Sequence, residues 1–279
     1  MTGDTLTTSD HRRDSAGLRY VYPVVSRRAN GVSIGINLNV DNACNWRCIY
    51  CQVPALHAGS APPVDLALLE RELRVFLQQV QHGDFMQRVP QGMRRINDVA
   101  LSGNGEPTSA QEFAQVIECI ARVKPAGIKL VLITNGSLMQ REGVQQGVCH
   151  MAQCDGEVWF KLDRASEAGM AQVNDTRMTL DQLRRNLTSA IDCCANTWLQ
   201  TCWFALDGKA PTAQDEDDYL SLLAGLAQQG VRPRGVLLYG LARPSLQPEA
   251  PRLSALPSAL MEAFAARIRA QGLEVRVAV

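Results

Sequence analysis

The chain has 279 residues, 46% of them hydrophobic, and 28 Lys and Arg balance 28 Asp and Glu to a formal net charge of zero. That is enough apolar material for a substantial core, while the neutral balance is unlike a protein built to grip a phosphate backbone. No apolar run approaches the roughly 18 residues that suggest a membrane span. Met1–Ser15 is polar and lacks the apolar centre of a secretory signal, so a cytoplasmic protein with no membrane partner is expected.

Residues 1–28 read as a flexible N-terminal arm, locally basic through Arg12, Arg13, Arg19, Arg27 and Arg28; a solvated arm is preferred over a nucleic-acid contact. From 29 to 279, β-rich runs alternate with amphipathic stretches. Ser33–Asn39 is the first expected strand. Ala67–Val80 sets Leu68, Leu69, Leu73, Phe76 and Leu77 on one helical face. Asp98–Ser102 is the second strand, and Ser109 is expected to cap a helix over Ala110–Val123. Ile128–Thr134 is the third strand, followed by a helix near Leu138–Met151. Glu157–Leu162 is the fourth, with a helix over Thr179–Cys194. Trp198–Leu206 and Gly235–Tyr239 follow, with helices over Glu216–Gln229 and Leu256–Ala270. Leu273–Val279 is a short terminal strand. Six βα units imply an α/β fold with a right-handed parallel sheet. A complete eight-stranded barrel typically needs about 250 residues before arms and long loops are added. A partial (β/α)6 barrel fits better, as one domain over 29–279.

The chain has nine cysteines, an odd number that argues against a secreted disulfide framework. Cys44, Cys48 and Cys51 form C-x3-C-x2-C directly after the first expected strand. Three thiolates can hold three irons of a cubane and leave the fourth open to an amino acid's amine and carboxylate. A zinc site with His57 as fourth ligand competes with that reading. Cys193, Cys194 and Cys202 lie in apolar runs and are expected to pack as small hydrophobes. Cys149 and Cys154 could serve a second cluster, but no cysteine follows Cys202, so one cluster is expected.

Four further motifs follow expected strands. Ser102-Gly103-Asn104-Gly105-Glu106-Pro107 offers a tight turn, close backbone approach and a carboxylate; an ordinary βα turn would read the same. Thr134-Asn135-Gly136-Ser137 is a turn with ligand potential. In Lys161-Leu162-Asp163 the two charged residues fall on one side of a strand. If buried they need either a ligand or each other. In Tyr239-Gly240-Leu241-Ala242-Arg243-Pro244, Arg243 could clamp a carboxylate or phosphate or simply close a surface loop. Tyr239 and Arg243 are the substrate-side candidates. With the cysteine loop, all five segments fall at C-terminal strand ends, the edge where α/β folds collect ligands.

C-x3-C-x2-C with an aromatic residue, Tyr50, before its last cysteine resembles the radical S-adenosylmethionine (SAM) superfamily. The segments SGNGEP (102–107), ITNGSL (133–138) and VWFKLD (158–163) are similar to a single-domain group within it. That group resembles pyruvate-formate-lyase activating enzymes and the radical SAM core of tRNA wyosine synthase. The resemblance implies one [4Fe–4S] cluster on Cys44, Cys48 and Cys51, with SAM on the open iron. A flavodoxin- or ferredoxin-like one-electron donor would reduce the cluster, and SAM would break to a 5′-deoxyadenosyl radical that takes hydrogen from a substrate. It further implies adenine contact beside Tyr50 and amino-group contact at Ser102, Gly103, Asn104, Gly105 and Glu106, with Asn104 standing where the family pattern has a glycine. Thr134 and Asn135 would lie beside SAM, and Lys161 and Asp163 would meet its carboxylate and ribose. No catalytic residue is assigned, and the substrate class stays open. A tRNA, a glycyl-radical protein or a small metabolite would each fit, the tRNA being disfavoured by the neutral charge.

Overall fold

The computed structural model describes residues 17–26 and 31–278. Eight strands form one sheet in strict chain order: β1 (Val21–Ser26), β2 (Gly31–Ile36), β3 (Ile96–Leu101), β4 (Lys129–Thr134), β5 (Gly156–Lys161), β6 (Thr197–Cys202), β7 (Gly235–Tyr239) and β8 (Glu274–Ala278). β1 pairs antiparallel with β2, and every other neighbouring pair is parallel. The edge strands β1 and β8 are not paired with each other, so the six strands β2–β7 make the expected partial barrel.

Each parallel crossover carries a helix: α1 (Leu66–His82), α2 (Phe113–Val123), α3 (Glu142–Ala152), then α4 (Glu167–Asn174) and α5 (Leu180–Cys193) together, α6 (Ala213–Gln228) and α7 (Ser258–Arg269). Alternation divides the sheet into two faces. Leu101, Leu132, Phe160, Leu199 and Leu238 are fully buried and belong to the main core with Leu73, Ile117, Val148, Leu187 and Phe264 of the helices. Their neighbours Ile133, Trp159, Lys161, Leu237 and Tyr239 are only half-buried, which makes that face the barrel interior.

Several expectations need correction. Val21–Ser26, placed in the flexible arm, is strand β1. Its central Pro23 argues against a strand in a sequence, yet an edge strand tolerates the missing N–H, and Pro23 pairs in register with Ile34. Just before it, the backbone N–H groups of Arg19 and Tyr20 each donate to the Glu72 carboxylate at 2.9 Å. Of the basic arm, Arg12, Arg13, Arg27 and Arg28 lie outside the described residues. Ser109 does not cap α2; it ends a short 3-10 turn, Pro107–Ser109, and its hydroxyl accepts from Ala61 N at 2.8 Å. α6 begins three residues before the expected Glu216, because Thr212 and Asp215 form a reciprocal capping box. Cys193 is not a free core thiol: α3 and α5 pack together, bring Cys149 and Cys193 to a Cα separation of 4.4 Å and link them as a disulfide. Among the described residues, no helix is long and apolar enough to cross a membrane.

Candidate functional site

The five segments meet at the C-terminal edge of the parallel strands. β2 ends at Ile36, and the chain turns through Asn37–Asn39 into the cysteine loop. Ala43–Cys44 makes a short parallel pairing with His57–Ala58, which closes the loop at its base. Cys44, Cys48 and Cys51 are all free thiols; Cys48 is buried and the other two half-buried. Burial pushes the Cys44 thiol from the ordinary 9.0 up to about 11, with Glu106 and Cys51 nearby adding to the shift. Burial likewise pushes Cys48 up to about 12, opposed by the Lys161 charge and a hydrogen bond from Asn174. Among the described residues, no three His, Cys, Asp or Glu side chains are drawn into a metal cage. The exposed His57 ring faces backbone carbonyls, with Nε2 3.0 Å from Asp41 O and Nδ1 3.3 Å from Ala58 O. That arrangement gives no support to His57 as a fourth zinc ligand.

The Ser102–Glu106 turn packs directly on this loop. A Cβ at Gly103 would collide with the Asn37 side chain, and one at Gly105 with Ala43 O and Asn39. Both glycines therefore answer a close approach of protein to protein. Asn39 Nδ2 donates to Ala43 O at 2.9 Å and so fixes the loop from the β2 end. Asn104 N donates to Asn37 Oδ1 at 3.0 Å and Asn104 Nδ2 to Asn42 Oδ1 at 2.6 Å, while Asn104 Oδ1 is buried with no partner. Ser102 Oγ lies 2.9 Å from the Tyr22 hydroxyl.

Glu106 is 2% exposed and braces two strand ends. Its Oε1 accepts from Thr108 N at 3.1 Å and from the Thr108 and Thr134 hydroxyls at 2.6 Å each; its Oε2 accepts from Asn135 N at 2.6 Å. Burial raises its pKa, and those four donors oppose the rise. Asn135 Nδ2 reaches Asn45 Oδ1 of the cysteine loop at 2.8 Å, and Asn45 in turn donates to the Ser137 hydroxyl at 2.8 Å.

On the opposite side, the Tyr50 hydroxyl donates to Asp163 Oδ2 at 2.6 Å. Lys161 Nζ lies 2.9 Å from that same hydroxyl and 3.4 Å from the Tyr239 hydroxyl. Asp163 Oδ1 accepts from Cys202 N at 2.8 Å, and Oδ2 also accepts from Asn174 Nδ2 at 2.7 Å. Burial and the Asp163 charge hold the Tyr50 phenol well above its ordinary value. Burial alone would lower Lys161, but Tyr239, Asp163 and Cys48 around it outweigh that and raise it. Lys161 and Gln200 are in register on neighbouring strands; Gln200 is 7% exposed and its Oε1 is buried with no partner.

Tyr239 joins this interior group; Arg243 is half-buried, with its carbonyl 3.3 Å from Gln52 Nε2. The segment after Arg243 has a clearer role. The Ser245 hydroxyl lies 2.8 Å from Ile49 O and 3.1 Å from Cys51 O, Gln247 Nε2 donates to Val53 O at 3.0 Å, and Leu246 N to Cys51 O at 2.9 Å. Arg47 ties the other flank, reaching Glu249 Oε1 at 2.9 Å and Asp175 Oδ2 at 3.1 Å. Sequence reasoning missed Asn37, Asn39, Asn174, Ser245 and Gln247. A buried asparagine carries little pattern of its own, although the asparagines flanking the first strand end were a usable hint.

The donor chemistry fits the two groups that the family resemblance implies. Three free thiols share one loop, and the His57 ring beside them is turned to backbone carbonyls. Asn104 Oδ1, in the turn beside them, is a buried acceptor without a donor.

No known protein-family profile matches the chain. A UPF0026 protein, in two strains of Helicobacter pylori, is 30% identical over 129 residues, which is 45% of this chain and 37% of that protein. The chain's match thus spans well under half the length of these relatives. Among solved structures, TYW1 with a lysine–pyruvate adduct bound superposes with a TM-score of 0.56 at 12% identity, over 87% of this chain and 74% of that one. Coproporphyrinogen III oxidase (HemN) from Escherichia coli, described as a radical SAM enzyme, gives a TM-score of 0.51 at 11% identity, over 85% and 52%. These likenesses are of fold: the chain has the fold of the radical SAM enzymes, the superfamily that its cysteine loop resembles.

Proposed function

We propose that the chain is a radical SAM enzyme in which Cys44, Cys48 and Cys51 hold one [4Fe–4S] cluster and SAM binds its open iron. One observation carries the reading: three free thiols leave the end of β2 on a loop packed against a glycine turn whose Asn104 Oδ1 has no partner. When bound and reduced, these groups supply cleavage of SAM to a 5′-deoxyadenosyl radical that takes hydrogen from a substrate.

The chain's own residues bind, orient and exclude water. Asn104 Oδ1 is the acceptor for the ammonium of SAM. Glu106 is already saturated by Thr108, Thr134 and Asn135, so its role is to hold the β3 and β4 ends together. Tyr50, between Lys161 and Asp163, seals the barrel mouth on the β5 side. Lys161 and Gln200 present a cation and an unpaired acceptor to the interior, and Tyr239 stands beside them on the substrate side. Arg243 is the remaining candidate for a substrate anion. A flavodoxin- or ferredoxin-like donor supplies the electron, residues 29–279 act as one barrel, and the setting is the cytoplasm. The fold does not name the substrate.

The test is anaerobic reconstitution followed by dithionite and SAM. About four irons per chain and production of 5′-deoxyadenosine are expected. A fully loaded chain that leaves SAM intact would sink the proposal, and tightly held zinc in an anaerobic preparation would replace it.

A further inference from the structure

We propose that Asn174 is a positioning residue that tunes the redox poise of the cluster on Cys44, Cys48 and Cys51, by donating one side-chain N–H to Cys48 Sγ and the other to Asp163 Oδ2. The inference rests on the function proposed above and assigns a role to a residue outside every motif at the strand ends. Asn174 Nδ2 lies 3.2 Å from the sulfur and 2.7 Å from the carboxylate oxygen. A primary amide has two N–H groups, and these two acceptors use both.

Asn174 is the last residue of α4 and is 1% exposed. Its position is fixed independently of its side chain. The last carbonyls of a helix lack donors of their own. Here Val173 O accepts from Ile49 N at 2.9 Å, and Asn174 O accepts from Arg47 N at 3.2 Å. The next residue, Asp175, turns the chain away at φ 50° and takes the Arg47 guanidinium at 3.1 Å. The cysteine loop thus caps α4, and the cap delivers the Asn174 amide to the middle cysteine. Asp163 Oδ1, held by Cys202 N at 2.8 Å, orients the amide from its other side.

The physical consequence has a definite sign. Reduction adds one electron to the cluster and places more negative charge on its sulfurs. A donor aimed at a ligating sulfur stabilises that charge and raises the reduction potential. Cys48 is 8% exposed, so little water competes for the sulfur, and in such a setting a hydrogen bond acts strongly. No bond is made or broken, and the electron comes from an external one-electron donor.

The experiment compares the full chain with Asn174→Leu and Asn174→Asp, each reconstituted anaerobically without SAM. Iron is counted, and the cluster is titrated with mediators at set potentials while EPR reads the reduced form. Asn174→Leu keeps the branching at Cγ without donors, in a somewhat larger side chain; Asn174→Asp keeps the shape and substitutes a carboxylate. At a fixed poise, the reduced-to-oxidised ratio should fall by about threefold to tenfold in the leucine variant, where tenfold is ~59 mV for a one-electron couple. It should fall at least as far in the aspartate variant, with iron content unchanged in both. A wild-type midpoint in either fully loaded variant overturns the proposal. So does loss of iron from both variants while the parent loads, because the role would then be structural. A parent chain that takes up no four-iron cluster instead overturns the function on which this inference rests.

Discussion

The Tyr50 hydroxyl and the Asp163 carboxylate, 113 residues apart, are joined by a 2.6 Å hydrogen bond that ties the cysteine loop to the end of β5. Asp163 is 2% exposed and accepts from Tyr50, Asn174 and the Cys202 backbone together. Asp163→Ala would leave three buried donors unmatched and remove a negative charge from beside Lys161. Breaking such a buried network costs about 3–5 kcal/mol, seen as a lower urea midpoint. Tyr50→Phe removes the hydrogen bonds to Asp163 and from Lys161 but keeps both of those charges and the ring against Phe204 at 5.6 Å, so it should cost less, about 1.5–3 kcal/mol. Equal losses in the two variants would mean that Asp163 does not organise the network.

Glu106 gives a prediction in pH. Its folded pKa is raised above the ordinary 4.5, with burial as the main cause. A raised carboxyl contributes stability that is complete below its unfolded pKa and fades as pH rises through its folded value. Glu106→Gln removes that titration and sets an amide N–H against Asn135 N, a mismatch worth about 1–3 kcal/mol. The stability gap between parent and Glu106→Gln should therefore widen as pH falls from 7 toward 4.5, as read by thermal melts across that range. A constant gap would show that the Glu106 carboxyl titrates as it does in the unfolded chain.

The sequence was legible where periodicity and punctuation agree. Strands β2–β8 and the helices α1, α5 and α7 follow apolar alternation or a clear stripe, and five motifs fall on one rim because each ends a strand. β1 was hidden by Pro23, and α4 by its small residues Ala168, Gly169 and Ala171, which carry little apolar stripe. The site was legible as a list of segments. What they touch was not. Gly103 and Gly105 suggested room for a ligand, yet a Cβ at either would strike Asn37, Asn39 or Ala43, a tertiary contact that no local pattern encodes. The same holds for Ser245 and Gln247, which grip Ile49, Cys51 and Val53 across almost two hundred residues.

Loading of the cysteine loop should depend steeply on pH. Cys44 is raised to about 11 and Cys48 to about 12, where 9.0 is ordinary. The folded apo chain therefore keeps both protons near neutrality, and ligation through sulfur must release them. Uptake of Co(II), followed by its thiolate-to-metal absorption, should strengthen with rising pH, by up to about a hundredfold per unit from these two thiols. The same raised values favour the apo fold fully below pH 9.0, and that contribution is lost as pH climbs through 11 to 12. Affinity that is flat between pH 6.5 and 8.5 would argue against coordination through Cys44 and Cys48.

The Cys149–Cys193 bond closes a loop with a sequence separation of 44 between α3 and α5. Loop-closure entropy for that length amounts to about 4 kcal/mol. Oxidised chain unfolded without reductant should present seven reactive thiols, those of Cys44, Cys48, Cys51, Cys119, Cys154, Cys194 and Cys202, and nine after reduction. Cys193→Ser should lower stability by up to about the loop-closure figure in oxidised protein and by far less in reduced protein. Nine reactive thiols before reduction would show that the pair is not bonded in solution.

Asn104 separates stability from binding. Its Oδ1 is buried without a donor, while its Nδ2 is matched to Asn42 Oδ1. An unpaired buried acceptor carries a penalty of about 1–3 kcal/mol, roughly offsetting what the Asn42 bond contributes. Asn104→Ala removes both at once, so the chain's urea midpoint should move little. SAM affinity should move a great deal, because the acceptor proposed for its ammonium is gone. A hydrogen bond to a charged group is worth about 1.5–3 kcal/mol, which predicts a loss of roughly tenfold to a hundredfold in affinity. Equilibrium dialysis of SAM against reconstituted parent and variant reads this directly. Asn104→Asp should retain binding, since a carboxylate accepts from an ammonium at least as well. If the alanine variant binds SAM as the parent does, the unpaired oxygen is a packing defect and the ammonium is held elsewhere on the rim.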